Sequence, residues 1–265
     1  MKFVVCAKLT PDTEQLGDVK PQDVGSDDLG VTMVLNPWDE FAVEEALQLQ
    51  ERFDGEAAVI TVGGEESTEA LKRAVAMGIE EAMLLSDDLF RDSDAWGTAH
   101  ILAQAIKKVG DYTLVLTGKQ SVDGNGGLVG PGLATQLGIP FISNVNKIVD
   151  LNEDSATVQR NLDEGVQTVK VRLPAVIAVS TEINEPRYPN FMGIRKASRM
   201  QYPAVKAGGL PGLDQSRLGE DAALLKWTNL RKPPARAGKV EIIQGGSPAE
   251  TAAILVDKLI AEKVI

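Results

Sequence analysis

YTLVLTGKQSVDGNGGLVGPG, residues 112 to 132, decides the fold class. The apolar run Tyr112 to Thr117 has the length and β-rich composition of a buried strand, and a loop with six glycines among its fifteen residues follows at 118–132. Glycine tolerates positive φ and lets backbone N–H groups approach a ligand with no Cβ in the way. A strand, a glycine-dense turn and a following helix make one half of a parallel α/β unit, whose carboxyl edge is where such sheets bind ligands. The cluster matches neither common phosphate motif. Lys119 precedes the glycines, so no P-loop is present, and Gly124, Gly126 and Gly130 are one residue too widely spaced for the dinucleotide fingerprint. From the residues alone, a phosphate cradle and a plain strand-to-helix turn stand level.

Working outward, residues 1–140 alternate short apolar runs with amphipathic stretches. Strands are predicted over KFVVCAKL (2–9), AAVITV (57–62), EAMLLS (81–86) and YTLVLT, with helices over 37–53, 65–77 and 93–108. NPWDEFAVEEALQL carries the clearest start signal: Asn36 as N-cap, Pro37 at the first helical position, and Asp39 and Glu40 at the positive end of the dipole. NPWD and VGG (62–64) fall at the same kind of sheet edge as the glycine cluster. Beyond residue 140, residues 156–174 read as a hairpin around Asp-Glu-Gly and 175–180 as another buried strand, both extending the same sheet. The expected fold is α/β: a Rossmann-like parallel-sheet domain over 1–202 with helices on both faces and an added hairpin. A Gly/Pro-rich arm over 203–265 ends in a helix that Ser247 caps and Pro248 begins. An arm that ends in an amphipathic helix predicts docking onto another subunit.

The chain has 265 residues, 43% apolar and 25% charged, and no apolar run approaches the length of a membrane helix. No signal peptide is seen, so a cytoplasmic location is expected, or the mitochondrial matrix in a eukaryote, without membrane insertion. The net charge of −11 argues against nucleic-acid binding. A single cysteine, Cys6, excludes an internal disulfide and a cysteine-based zinc site, so no metal is expected. Cys6 reads as a small buried hydrophobe, and the lone His100 as a satisfied helix residue. The acids Glu44, Glu45, Glu65, Glu66, Glu80 and Glu81 read as solvated helix faces and ends. No nucleophile and base can be paired, which favours a binding or carrier role over hydrolysis. NEPRYPNFMGIRKASRM (184–200) reads as a loop with an apolar tip, folded onto its own core or meeting a partner.

Taken together, NPWDEFAVEEAL, GKQSVDGNGGLVGPGLA, LPAVIAVSTEINEPRYP with IRKA after it, and the closing VDKLIAEKVI resemble the β subunit of electron transfer flavoprotein over nearly the whole chain. The resemblance implies a heterodimer in which the α subunit holds a redox-active FAD while β binds a structural AMP. The pair carries electrons from flavin dehydrogenases, such as acyl-CoA dehydrogenases, toward a quinone oxidoreductase, and β alone is no enzyme. In the electron-bifurcating branch the same place holds a second FAD that accepts hydride from NADH. The implied nucleotide site comprises Cys6, Asn36, Pro37, Trp38, Asp39, Val62, and Gly118, Lys119, Gln120, Ser121, Val122, Asp123, Gly124, Asn125, Gly126, Gly127, Leu128 and Val129. Residues 123–130 begin and end like the bifurcating form but lack its Thr and Gln, whereas NEPRYP resembles the non-bifurcating branch. The implied partner-docking loop has Phe191 as anchor, with Tyr188, Met192 and Lys196 around it. A rival outside the family, a stand-alone adenine-nucleotide hydrolase or sensor, predicts a monomer that turns over ATP.

Overall fold

The structure, a computed structural model, describes residues 1–26, 28–234 and 240–265; the part of the expected arm at 235–239 lies outside the described residues. It forms two compact units, Met1–Leu230 and Arg231–Ile265. The first unit extends past the 202/203 boundary expected from texture, because Ala207, Leu210 and Leu218 are buried in the sheet domain's own core.

The strands are β1 Lys2–Cys6, β2 Leu9–Pro11, β3 Met33–Leu35, β4 Glu56–Val62, β5 Glu81–Leu85, β6 Leu114–Gly118, β7 Phe141–Leu151, β8 Ser155–Leu162, β9 Gly165–Arg172, β10 Ala175–Val179 and β11 Ala204–Val205. The helices are α1 Pro37–Phe53, α2 Thr68–Met77, α3 Ala95–Val109, α4 Val129–Leu137, α5 Phe191–Arg199, the single turn α6 Gly219–Ala222, and α7 Pro248–Ala261. Nine strands make one sheet in the order β11-β5-β4-β1-β6-β10-β7-β8-β9, parallel up to β7 and antiparallel through β8 and β9. A side-chain period of two sorts each central strand between two cores. Phe3 and Val5 meet α1 and α2 on one face, and Val4 and Cys6 meet α3 and α4 on the other. β6 and β10 divide likewise, so the body has three layers with helices on both faces of the sheet.

Several expectations need correction. The first strand ends at Cys6 rather than at residue 9. There the Lys8 N–H turns to the Asp39 carboxylate, 2.8 Å away, and residues 9–11 leave to pair with β3. The second helix begins at Thr68, behind a 3-10 turn over Glu65–Ser67. The NEPRYP loop leads into a helix, α5, whose cap Asn190 accepts from the Gly193 N–H at 2.8 Å. Glu44 and Glu45 are buried, whereas Glu65, Glu66, Glu80 and Glu81 are exposed as expected. In the second unit, the Ser247 hydroxyl accepts from the Glu250 N–H and caps α7, which buries none of its residues. Among the described residues, no helix is long and apolar enough to cross a membrane.

Candidate functional site

The order of strands fixes the edge at which a sheet of this kind takes a ligand. From β1 the chain builds outward to β4 and β5 on one side, and from β6 it builds toward β10 and β7 on the other. Strand order reverses between β1 and β6, and open α/β sheets bind ligands outside the carboxyl ends at that point. Cys6 and Thr117 are register partners on these two strands, and β4, which ends at Val62, lies beside β1. Cys6, Val62 and Gly118 therefore share one edge.

The start of α1 closes over that edge. Asn36 occupies the N-cap position, but its side chain makes no cap bond to the helix. Its Nδ2 donates to the Gln120 carbonyl at 2.9 Å, and its Oδ1 accepts from the Val122 N–H at 3.2 Å. Asp39 is likewise diverted from the helix dipole to the site: its carboxylate accepts from the N–H groups of Lys8 (2.8 Å) and Gly118 (3.1 Å). Burial pushes this carboxyl up to about 7, against the lowering effect of the Lys8 N–H, Asn36 and the Gly118 N–H. Burial also pushes the Cys6 thiol up, with the Asp39 charge adding to it, which leaves the sulfur protonated and chemically inert. Gly118 is required by close approach, since a Cβ there would stand 2.5 Å from Asp39 Oδ1 and 2.7 Å from the Trp38 carbonyl carbon.

The rest of the loop is held from its two sides. The Gln120 side chain donates to Asn125 Oδ1 at 2.9 Å, and Asn125 and Gly127 take the left-handed φ values of 50° and 59° that let the chain reverse. A Cβ at Gly126 would have no heavy atom within 4 Å, so one flank of the loop is open. Behind it α4 starts at Val129 with no side-chain cap; Pro131 has no N–H and the Gly132 N–H donates to the Leu128 carbonyl at 3.0 Å, so Val129 and Gly130 are the first-turn N–H groups left without a side-chain partner. Two lysines border the loop. Lys8 pairs with Asp123 at 2.6 Å, and Lys119 Nζ lies 5.7 Å from the Trp38 ring centroid. Burial acts to raise the Asp123 carboxyl, but the Lys8 charge and the hydrogen bonds from Lys8 and Ser121 together outweigh it and hold it below the usual range.

Sequence reading missed two contributors here. Lys8 has no local motif, and Trp227, whose ring would lie 3.6 Å from a Cβ at Gly124, arrives from the region read as an arm.

A second constellation was not anticipated at all. Arg187 of NEPRYP donates from Nε and Nη2 to the two oxygens of Glu44 at 2.8 and 3.0 Å, and from Nη1 to Glu51 at 2.6 Å. Its own N–H also reaches Glu44, at 3.1 Å. Burial acts to raise Glu44, but the guanidinium, the Gln48 side chain and the Arg187 N–H together outweigh it, and the carboxyl ends below its ordinary range. Asn184 donates to Glu45 and to the Phe41 carbonyl, both at 3.1 Å. Beyond this clamp Tyr188 is 91% exposed, Phe191 77% and Met192 68%, while Lys196 makes a loose pair with Glu80 at 3.7 Å. His100 is buried in α3, where its Nε2 accepts from the Asp214 N–H at 3.0 Å.

A family model described as the electron transfer flavoprotein domain matches residues 26–207. The chain is 35% identical, over the whole of both proteins, to the caffeyl-CoA reductase-Etf complex subunit CarD of Acetobacterium woodii. It is 34% identical to the electron transfer flavoprotein subunit beta of Bacillus subtilis, again over the whole of both. It is also 34% identical to protein FixA of Bradyrhizobium diazoefficiens, over 98% of this chain and 91% of that one.

Proposed function

The chain belongs to the electron transfer flavoprotein family as a β-type subunit, and from that premise we propose that it binds one structural AMP and, with an α subunit, relays electrons from flavin dehydrogenases toward a quinone oxidoreductase. The observation that carries the nucleotide part is the loop between β6 and α4: an open flank at Gly126, a reversal at Asn125 and Gly127, and an uncapped helix start, all at the sheet's switch point. The residues fit a phosphate. The Val129 and Gly130 N–H groups of α4 are donors without a side-chain partner, and Lys119 sets positive charge at the rim, while Lys8 is matched by Asp123. Cys6, Asn36 to Asp39, Val62 and Gly118 to Val129 line this crevice. The nucleotide supplies no redox chemistry there. The flavin, held chiefly by α, carries the electrons, and the contribution of this chain is to position it and set the field around it. The apolar stripe of α7, with Leu255, Val256 and Ile260 exposed, suits burial against α. The exposed Tyr188, Phe191 and Met192 suit an apolar pocket on the dehydrogenase, with Phe191 as the anchor.

A second reading has specific support. The relative from Acetobacterium woodii is named as part of a caffeyl-CoA reductase-Etf complex, and residues 123–124 and 129–130 match the bifurcating form. In that reading the crevice holds the ADP half of a second FAD, and the complex oxidises NADH. The two separate on composition. The purified αβ complex, denatured and washed, is expected to release one FAD and one AMP; two FAD and no AMP would establish the bifurcating form. Release of neither nucleotide from the β site would overturn both.

A further inference from the structure

The exposed apolar group at residues 188–194 stands on a built platform, and two independent contacts hold it. Upstream, the extended stretch after Ile183 is fixed by side chains. Arg187 spends its N–H, Nε, Nη1 and Nη2 on Glu44 and Glu51 of α1, and Asn184 is tied to Glu45. Downstream, α5 lies against the end of α2 with Ala197 buried beside Val75 and Ala76. The approach there is backbone to backbone: a Cβ on Gly193 would stand 2.2 Å from the Ala76 carbonyl oxygen. The Tyr202 hydroxyl donates to the Ala197 carbonyl at 3.0 Å and closes the far end.

We propose that Arg187 is a positioning residue for partner docking: its clamp on Glu44 and Glu51, acting with the Gly193 seat on Ala76, fixes Tyr188, Phe191, Met192 and Ile194 in one presentation before a partner arrives. The inference rests on the docking reading above and adds the device that makes it work. A segment with four large apolar side chains in water collapses onto its own chain unless it is restrained. An unrestrained segment also charges its ordering entropy to each encounter. The clamp spends that entropy at folding. It also suits a relay, which must meet and leave its partner quickly, because a rigid presentation binds without a slow rearrangement. The exposed Arg195, Lys196 and Arg199 on the same helix define the partner's chemistry as an apolar socket with a carboxylate rim.

The test uses the αβ complex and a flavin dehydrogenase chosen because it reduces the wild-type complex with saturation kinetics. Arg187→Gln alone would strand a buried Glu44 charge, so Glu44→Gln/Arg187→Gln removes both charges together. Gly193→Ala disturbs the platform from the opposite side. Each is expected to raise KM for the dehydrogenase about tenfold, equivalent to about 1.4 kcal/mol of ordering, with kcat, flavin content and α association unchanged. Adding Phe191→Ala to either should cost little more than Phe191→Ala alone, since all act through one contact. If Phe191→Ala raises KM while both platform variants keep the wild-type value, the docking reading stands and the clamp is purely structural. If Phe191→Ala also leaves KM unchanged, reading and inference fall together.

Discussion

Gly126→Leu separates a phosphate cradle from a mere turn. A Cβ at Gly126 meets no heavy atom within 4 Å, and its φ lies outside the left-handed region, so the nucleotide-free fold should tolerate leucine within about 0.5 kcal/mol. If a phosphate rests on the backbone N–H groups of residues 126–129, the leucine side chain takes its place. A ligand at a hundredfold excess over its Kd stabilises by about 2.7 kcal/mol. For a body the size of Met1–Leu230, each kcal/mol moves Tm by roughly 2–4 °C, so AMP should raise the wild-type Tm by about 5–10 °C and that of Gly126→Leu hardly at all. Gly118→Ala is the contrasting control. Its Cβ would press 2.5 Å from Asp39 Oδ1 and 2.7 Å from the Trp38 backbone, costing about 1–3 kcal/mol with or without nucleotide. The assay is thermal unfolding of the αβ complex, stripped of its nucleotide and then measured with and without added AMP or FAD, paired with nucleotide released on denaturation of the complex as purified. A Gly126→Leu complex that keeps full nucleotide content and the full ligand-induced shift would refute the cradle.

Further outcomes follow from the buried polar groups and the second unit. Asp39 has a folded pKa of about 7, above its unfolded value, so its contribution is fully present below the unfolded pKa and is lost as pH rises through 7; Asp39→Asn should therefore gain on wild type between pH 4 and 8, by a few kcal/mol beyond a constant offset for the mismatched amide, and parallel denaturation curves across that range would contradict this. His100 has its pKa depressed by burial and then by Arg217, so its contribution is fully present above its unfolded pKa of about 6.5 and declines as pH falls below it. The Tm of wild type should accordingly fall more steeply from pH 7 to pH 5 than that of His100→Gln, with equal slopes as the contrary result. Truncation after Leu230 should leave the sheet body folded by circular dichroism and end co-purification with α, whereas undiminished heterodimer would show that the last unit is dispensable.

What the sequence made legible was what neighbouring residues determine. β1, β4, β6 and β10 announce themselves because each is a short apolar run buried on both faces, and β5 because its run ends in the buried pair Leu84 and Leu85. β7 was hidden for a physical reason. Its buried residues Val145, Ile148 and Leu151 are three apart, not two, because the pairing with β8 shifts register between Val145 and Lys147 and again between Ile148 and Asp150. A bulged strand breaks the alternation by which strands are recognised. α5 was hidden by prolines before it and a glycine within it, although Asn190 supplied an ordinary cap signal. β2, β3 and β11, at two or three residues each, are too short to carry a period.

The site divides along the same line. The glycine loop and NPWD are local motifs, and each stood out by itself. The bonds that join them do not. Asn36 reaches Gln120 across 84 positions and Asp39 reaches Gly118 across 79, and nothing in either stretch names the other. Asn36 and Asp39 also carried a complete local explanation, as a helix cap and a dipole partner, and that explanation hid their other use. Glu44 was misread for the same reason. On a helix rich in acids it looks solvated, until Arg187 arrives from 143 positions away. α1 thus does two jobs that its sequence pattern does not distinguish. Its first turn holds the loop at the sheet's switch point, and from about 7 Å further along its axis it grips the segment that leads to Phe191. No hinge intervenes between the two, because both sets of contacts lie on one continuous helix packed into the main core. The β6–α4 loop and the segment that leads to Phe191 are therefore set in fixed relation by a single buried element, which is what the proposed positioning role requires.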